Sequence, residues 1–275
     1  HKNVNSWEDF IPAKEGTLIG GLTFLNDWIL RSEVSDALAK IYVRNIKTNK
    51  EEELKITEEK VISPGISLKQ KNKDTDIIRI GYDSPKTPSR TFEYNIKTKE
   101  KKLVKEQIIP SGHNRDDYTV ERLNCESHDD RQIPMTITYH KKTKLDGSAH
   151  VLLYGYGSYG MSMSPSFSST RLSLINRNII WVTCHIRGGM ERGMRWWKEG
   201  KMLNKKNTFS DFISCAKFLI EKKYTSKKKI IAYGGSAGGL LLGSTINQIP
   251  DLLLGAIMAV PFVDNLTTNM DHSLP

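Results

Sequence analysis

The sequence predicts two regions of different fold class: an all-β region in the first third of the chain, then an α/β region with a mostly parallel sheet. Strand-like runs fill the first third, while apolar runs alternate with amphipathic helical segments after residue 117. Residues 110–117 between the two are polar and rich in turn formers, so we place the domain boundary at residues 112 and 113. The early strand-like runs are TFLNDWIL (23–30), AKIYVRNI (39–46), DIIRIGY (76–82) and RTFEYNI (90–96).

An internal repeat lies within the all-β region. The segment IYVRNIKTNKEEELK (41–55) is echoed by TFEYNIKTKEKKLVK (91–105), and the shared Asn-Ile-Lys-Thr recurs after 50 residues. A repeat of this length in an all-strand segment is typical of β-propeller blades. The alternative is a pair of lysine-rich hairpins with similar turns.

In the second region, four apolar runs predict strands at 151–154, 179–183, 229–233 and 255–260. The clearest helix is predicted from Thr208 to Lys222, with Thr208 and Asp211 as a capping pair at its amino terminus. Strands separated by helices of this size imply right-handed crossovers and a mostly parallel sheet.

Composition limits the class of protein. The chain has 275 residues, 38% of them hydrophobic, and no apolar stretch of membrane-spanning length. Its net charge of +10 is spread over both regions without interleaved stacking aromatics, so we expect a solvated lysine-rich surface and no nucleic-acid partner. Three cysteines without metal-type spacing indicate reduced thiols and a cytoplasmic protein. Since the chain begins with His1, we expect that this residue is not the first residue encoded by the gene. The sequence does not indicate an oligomeric state.

The most informative motif follows the third predicted strand of the second region. Residues Gly234-Gly235-Ser236-Ala237-Gly238-Gly239 stand between the strand-like run 230–233 and a helical run that Pro250 stops. This context is typical of a nucleophile elbow, in which a sharp turn lifts a serine out of the sheet. The alternative is a glycine-rich turn with a bystander serine. With the alternating strands and helices, the motif predicts an α/β-hydrolase fold.

A second glycine motif needs a different interpretation. Residues 155–160 fit the dinucleotide-binding pattern G-x-G-x-x-G after a strand. Two requirements of that fold fail, because Pro165 and several serines stand where a helix should open, and no acidic residue occurs between Gly160 and Glu191. We expect this loop to lie at the same sheet edge as the elbow.

Seven segments of the chain, taken in one register, resemble those of a known protein family. They are SPKTPSRTFEYN (84–95), YGYGSYG (154–160), RLSLINRNIIWVTCHIRGG (171–189), KKNTFSDF (205–212), GGSAGGLLLG (234–243), INQIPDLL (246–253) and PFVDNLTT (261–268). On these segments the chain resembles the prolyl oligopeptidase family of serine peptidases, particularly its oligopeptidase B branch. That family places a seven-bladed β-propeller over an α/β-hydrolase domain. The resemblance therefore implies that residues 1–112 are its last blades and that residues 113–275 are the first part of the peptidase domain, with an incomplete α/β-hydrolase sheet.

The resemblance implies a specific chemistry. Ser236 would attack the carbonyl of a peptide bond in a short peptide, and the oxyanion would be held by the backbone N–H of Ala237 and the phenol of Tyr156. A tyrosine O–H aimed at the developing charge can replace a backbone donor. The alternative for Tyr156 is an aromatic side chain that packs on the turn. The resemblance implies no metal and no organic cofactor.

A serine peptidase of this fold also needs an aspartate and a histidine after the serine. The candidates after Ser236 do not suit these roles: Asp251 comes just after the helix-ending Pro250, and Asp264 directly follows the next predicted strand. Asp271 and His272 are adjacent, so their side chains would point apart, with no strand to hold them. We therefore expect both partners, and the glutamates that give oligopeptidase B its preference for Lys or Arg, to lie outside these residues. The chain departs from the family at Met190, where a third glycine is usual. An inactive remnant and an esterase on the same fold remain as alternatives.

Overall fold

The computed structural model describes residues 6–68 and 73–273. Their strands form two four-stranded antiparallel sheets and one six-stranded sheet. The first sheet contains β1 (Thr17–Phe24), β2 (Trp28–Ser35), β3 (Leu38–Asn45) and β4 (Glu51–Glu53). The second contains β5 (Ser63–Ser67), β6 (Ile77–Asp83), β7 (Arg90–Asn95) and β8 (Lys101–Glu106).

The two small sheets pack face to face through one apolar core. Leu30 and Val43 of the first sheet lie in the same buried cluster as Ile78 and Ile80 of the second. Alternate residues of β3 and β6 supply much of this core, namely Ile41 and Val43 of β3 and Ile78, Ile80 and Tyr82 of β6, as expected of strands with one covered face. Two sequential four-stranded meanders stacked in this way are adjacent blades of a β-propeller.

The 50-residue repeat marks the same hairpin in each blade. The Asn45 side chain accepts hydrogen bonds from the amides of Lys47 and Thr48, both at 3.0 Å, between β3 and β4. Asn95 does the same between β7 and β8, where it accepts from the amides two and three residues later at 2.9 and 3.1 Å. The repeated sequence therefore forms the same turn at the same place in two successive blades.

The run 23–30 is not a single strand, contrary to its apolar pattern. β1 ends at Phe24, and the chain turns before β2 starts at Trp28, with the Leu25 amide donating to the Trp28 carbonyl at 2.8 Å. Asn26 and Asp27 occupy the turn, and both are residue types that are common in turns. The apolar residues on either side belong to two paired strands.

The six-stranded sheet has the order β14-β13-β11-β12-β10-β9. β9 and β10 form an antiparallel hairpin, β10 pairs antiparallel with β12, and β11 to β14 are mutually parallel. This mostly parallel sheet confirms the predicted α/β-hydrolase class. Its strands are β9 (Tyr118–Glu126), β10 (Gln132–His140), β11 (Val151–Tyr154), β12 (Ile180–Cys184), β13 (Ile230–Gly235) and β14 (Leu253–Ala259). The helices are α1 (Ser169–Ile175), α2 (Gly193–Lys198), α3 (Lys205–Glu221), α4 (Ala237–Gln248) and α5 (Asn265–Met270).

The predicted capping pair of α3 is wrong. The helix begins at Lys205, three residues before Thr208, so Thr208 and Asp211 lie inside it. The Thr208 hydroxyl donates to the Arg187 carbonyl at 2.8 Å, and the Asp211 carboxylate binds the Arg187 guanidinium. Both side chains are fully buried. Both polar side chains therefore bind Arg187 and do not cap the helix.

The tip of the β2–β3 hairpin contacts the segment that follows β12. Asp36 pairs with Arg192 at 2.6 Å, and the Ala37 amide donates to the Glu191 carbonyl at 2.9 Å. These contacts join the first blade to residues 187–193, which lie next to the loop after β11. Within the described residues, every helix is too short or too polar to cross a membrane.

Candidate active site

Ser236 lies at the apex of the turn from β13 to α4. Its backbone has φ 53° and ψ −120°, a conformation that non-glycine residues rarely adopt and that costs about 1–3 kcal/mol. The side chain is exposed and makes no capping hydrogen bond to the helix that it precedes. A serine hydroxyl in a strained turn is thus presented to solvent at the carboxyl end of the parallel strands.

The neighbouring backbone holds this strained conformation from two sides. The Ser236 amide donates to the Ala259 carbonyl at the end of β14 at 2.9 Å. The Ser236 carbonyl accepts from the amides of Gly239 at 2.8 Å and Phe262 at 2.9 Å. The elbow therefore depends on the segment after β14 as well as on its own helix.

Four glycines surround Ser236, and two of them have no room for a side chain. A Cβ on Gly234 would lie 2.7 Å from the Gly238 carbonyl oxygen, and one on Gly239 would lie 2.5 Å from Pro261. A Cβ on Gly235 would be 3.2 Å from the nearest atom, which is tight but less severe. The glycines at 234 and 239 are therefore required by close backbone approach.

Tyr156 lies beside the first turn of α4. A Cβ on Gly238 would meet the Gly155 carbonyl oxygen at 3.1 Å and the Tyr156 ring at 3.6 Å, so the loop after β11 packs directly against the elbow. Tyr156 is half-buried. Ala237 is the first residue of α4, so its backbone N–H has no partner within the helix. The structure thus brings the serine, this N–H and the tyrosine to one end of the sheet.

The loop that carries Tyr156 is irregular, and no helix opens at Gly160. The next helix, α1, begins at Ser169 with Ser168 as its N-cap, so the loop lacks the geometry of a dinucleotide-binding turn. The Gly160 amide instead donates to the Gly188 carbonyl at 2.9 Å. The loop is thereby attached to the segment after β12.

That segment is fixed by a buried ion-pair cluster around Arg187. The guanidinium is 1% exposed and donates to both Asp211 and Asp129, with contacts of 2.6 and 2.5 Å. Burial acts to lower the pKa of Arg187, but the hydrogen bonds with the two carboxylates outweigh it and raise the pKa. The same arginine lowers the pKa of Asp129. His128, Asp129 and Asp211 have the spacing of a metal site, yet the two carboxylates already bind this guanidinium.

The described part of the chain, residues 6–68 and 73–273, contains no histidine hydrogen bonded to Ser236. His185 is fully buried, contacts Thr136 at 2.8 Å on the far side of β12, and has its pKa held well below the ordinary value, first by burial. Asp264 caps α5, and Asp271 binds Ser273. The remaining described histidines are His113, His128, His140, His150 and His272.

A cavity of about 640 Å³ lies at the same end of the sheet but does not include Ser236 or Tyr156. Tyr154, Tyr233 and Ile257 of three neighbouring strands line it, with Arg171 of α1. Ile257 belongs to the edge strand β14 and is 49% exposed. The cavity therefore marks a poorly covered face of the sheet and not the surroundings of the serine.

Comparison with known protein families decides the assignment of the chain. The profile described as "Prolyl oligopeptidase, N-terminal beta-propeller domain" matches residues 1–107, and that described as "Prolyl oligopeptidase family" matches residues 165–275. The chain belongs to the prolyl oligopeptidase family. The resemblance of the sequence to this family is thus confirmed, with the propeller and hydrolase architecture that it implied.

Individual family members are similar over most of the chain. Dipeptidyl aminopeptidase BI from Pseudoxanthomonas mexicana is 37% identical over 98% of the chain, and Protease 2 from Moraxella lacunata is 42% identical over 76%. The chain spans 37% and 30% of the length of these two relatives. The structure of oligopeptidase B from Trypanosoma brucei with covalently bound antipain matches with a TM-score of 0.89 and 33% identity, covering 96% of this chain and 38% of that one.

The sequence alone does not identify the residues that hold the Tyr156 loop and the segment after β12. Asp211 was assigned to a helix cap, although it shares a helix face with Phe212 and Cys215, which are both buried. A carboxylate on an apolar helix face is the signal of a buried ion pair, but its partner Arg187 is 24 residues away. Lys205 and Met190, which contact the Tyr156 loop, carried no local signal of that role.

Proposed function

We propose that Ser236 is the nucleophile of a serine oligopeptidase that hydrolyses short peptides. The observation that carries this proposal is the exposed serine at φ 53°, held between Ala259 and Phe262, with Tyr156 and the first N–H of α4 beside it. We also propose the division at residue 112 into propeller and peptidase regions. Membership of the prolyl oligopeptidase family supports hydrolysis of peptide bonds as the reaction class.

The reaction follows from the chemistry of these groups. The Ser236 oxygen attacks the carbonyl carbon of the scissile peptide bond while a histidine takes the hydroxyl proton. The oxyanion of the tetrahedral intermediate accepts hydrogen bonds from the Ala237 backbone N–H and the Tyr156 hydroxyl. The intermediate then expels the amine, which receives the proton, and water hydrolyses the acyl-enzyme on Ser236.

We propose that the base and its aspartate come from outside the 275 residues. No described histidine, and no aspartate after Ser236, makes a hydrogen bond to its side chain, and the similar proteins are much longer than this chain. The histidine that takes the Ser236 proton, and the aspartate that orients this histidine, would therefore come from other residues of the intact enzyme. The 275-residue chain alone is expected to be inactive.

We further propose cleavage after Lys or Arg and a cytoplasmic location. The similarity to oligopeptidase B supports the first, since it is the branch for which the sequence resemblance implies this preference. Three buried cysteines without a disulfide, at positions 125, 184 and 215, support the second, because free thiols persist in a reducing compartment.

The test uses the intact enzyme with matched chromogenic substrates that carry Arg, Lys, Pro or Phe before the scissile bond, and a simple ester. We expect turnover of the Arg and Lys peptides and its loss in Ser236→Ala. Ser244→Ala is the matched control, because Ser244 lies in α4 about two turns after Ser236. This variant should keep full turnover. Preference for the simple ester would favour an esterase, and a wild-type protein without any turnover would favour an inactive remnant.

A further inference from the structure

Lys205, the first residue of α3, contacts the Tyr156 loop directly. Its ammonium donates to the Gly157 carbonyl oxygen at 2.5 Å and to the Ser158 hydroxyl at 2.8 Å. Its neighbour Lys206 is exposed. The chain thus places one of two consecutive lysines against the two residues that follow the proposed oxyanion tyrosine.

Tyr156 stands between two glycines that are both tightly enclosed. A Cβ on Gly155 would lie 2.8 Å from the Phe212 ring, and one on Gly157 would lie 2.3 Å from the Thr208 methyl group. Gly157 also has φ +65°, which favours glycine. Tyr156 is therefore positioned through the residues on either side of it, by the packing around both glycines and by the hydrogen bonds that their peptide groups make. Lys205 holds the second of them.

Charge neutralisation does not explain the burial of Lys205. Among the described residues no carboxylate pairs with its ammonium, and burial lowers its pKa to about 8. The charged groups on the adjacent segment are engaged elsewhere: Arg187 binds Asp129 and Asp211, and the Glu191 carboxylate accepts from the Met163 amide at 2.9 Å. A cation at the first residue of a helix also opposes the helix dipole.

A lysine in this position costs folding stability at neutral pH. Its folded pKa lies below the ordinary value, so the unfolded chain binds the proton more tightly and stability rises as the pH increases from about 8 toward that value. The charge nevertheless strengthens the hydrogen bond to the Gly157 carbonyl, since charge-assisted hydrogen bonds are roughly twice as strong as neutral ones.

We propose that Lys205 is a positioning residue, whose ammonium clamps the Gly157 peptide group and so holds the Tyr156 hydroxyl in place for the oxyanion. This inference rests on the proposed function of Tyr156. Lys205 acts through Tyr156 and does not touch the substrate. The clamp weakens when the ammonium loses its proton.

The first test compares uncharged and charged variants in the intact enzyme. Lys205→Met is expected to lower kcat about 10- to 100-fold with little change in KM and with an unchanged or higher melting temperature. Lys205→Gln serves as a second uncharged variant, and Lys206→Met, an exposed neighbour, should behave as wild type. Lys205→Arg should recover much of the turnover and shift the alkaline decline of kcat, expected near pH 8 in the wild type, to higher pH.

A double-mutant cycle separates this inference from the proposed function. If Lys205 acts through Tyr156, adding Lys205→Met to Tyr156→Phe should lower kcat no further. The positioning role would be overturned if the fold-losses in kcat of the two single variants multiply in the double variant. It would also be overturned if the Lys205→Met enzyme has a normal kcat and an unchanged alkaline decline of kcat. If Tyr156→Phe itself keeps full turnover, the oxyanion assignment fails and the Lys205 inference fails with it.

Discussion

Gly239→Ala probes the geometry of the elbow without removing any reactive group. Gly239 is the third residue of α4, and its amide donates to the Ser236 carbonyl at 2.8 Å. An alanine Cβ would lie 2.5 Å from Pro261 Cα and Cβ and 3.0 Å from the Phe262 nitrogen. Nonbonded carbon atoms normally approach to about 3.5–4.0 Å, so either α4 or the Pro261 backbone must move by about 1 Å.

That displacement falls on the segments that hold the serine. The Phe262 amide and the Gly239 amide both bind the Ser236 carbonyl, so the hydroxyl shifts with them. A misplacement of about 1 Å at a reacting group costs on the order of 10²-fold in rate. The forced packing costs about 1–3 kcal/mol of stability. We therefore expect kcat/KM to fall about 100-fold while the protein stays folded.

Gly243→Ala is the matched control on the same helix. Its Cβ would meet Val263 at 3.6 Å, an ordinary contact, and alanine is favoured over glycine inside a helix by about 0.5–1 kcal/mol. This variant should keep full activity and melt at the same or a slightly higher temperature. The assay is hydrolysis of a chromogenic Arg peptide by the intact enzyme, with thermal melts of each variant. Normal kcat/KM in Gly239→Ala would refute the argument that close packing at Pro261 positions Ser236.

Three further predictions use other parts of the structure. Tyr156→Phe in the intact enzyme should lower kcat about 10²–10³-fold with little change in KM or melting temperature, and a near-normal kcat would make Tyr156 a packing residue. Asp211→Asn leaves the buried Arg187 charge under-compensated and should destabilise the intact enzyme by about 3–5 kcal/mol in denaturant unfolding; unchanged stability would show that this ion pair does not stabilise the segment after β12. The 275-residue chain alone should self-associate through the edge strand β14, where Leu254 and Ile257 are 54% and 49% exposed, and Ile257→Lys should reduce the associated fraction in analytical ultracentrifugation. A monomeric chain with a sharp, reversible melt would contradict that prediction.

Short-range patterns made the elbow and the sheet predictable from the sequence. The strand from Ile230 and the helix that starts at Ala237 are specified by residues within one or two turns of Ser236, and the glycines identify the turn between them. The strand predicted at 151–154 matches β11, because a buried parallel strand is a continuous apolar run.

Long-range contacts account for what the sequence did not predict. Asp211 lies on the buried face of α3 because Arg187 neutralises it there, and this pairing has no local signature. The start of α3 was placed too late because Lys205 reads as a surface residue, whereas its ammonium reaches the loop at Gly157, 48 residues away. The histidine base proposed for Ser236 would also be brought to it by tertiary structure, and it stays a prediction.

The location of a covalent adduct tests the central claim, that Ser236 is the nucleophile, most directly. The intact enzyme is treated with a fluorophosphonate probe and digested with chymotrypsin, which is expected to cut after Tyr233 and Leu240 and release residues 234–240. Ser236 is the one serine in that peptide. We predict that mass spectrometry finds the adduct on this peptide and that the 275-residue chain without its base stays unlabelled. An adduct on any other serine of the intact enzyme would contradict the account.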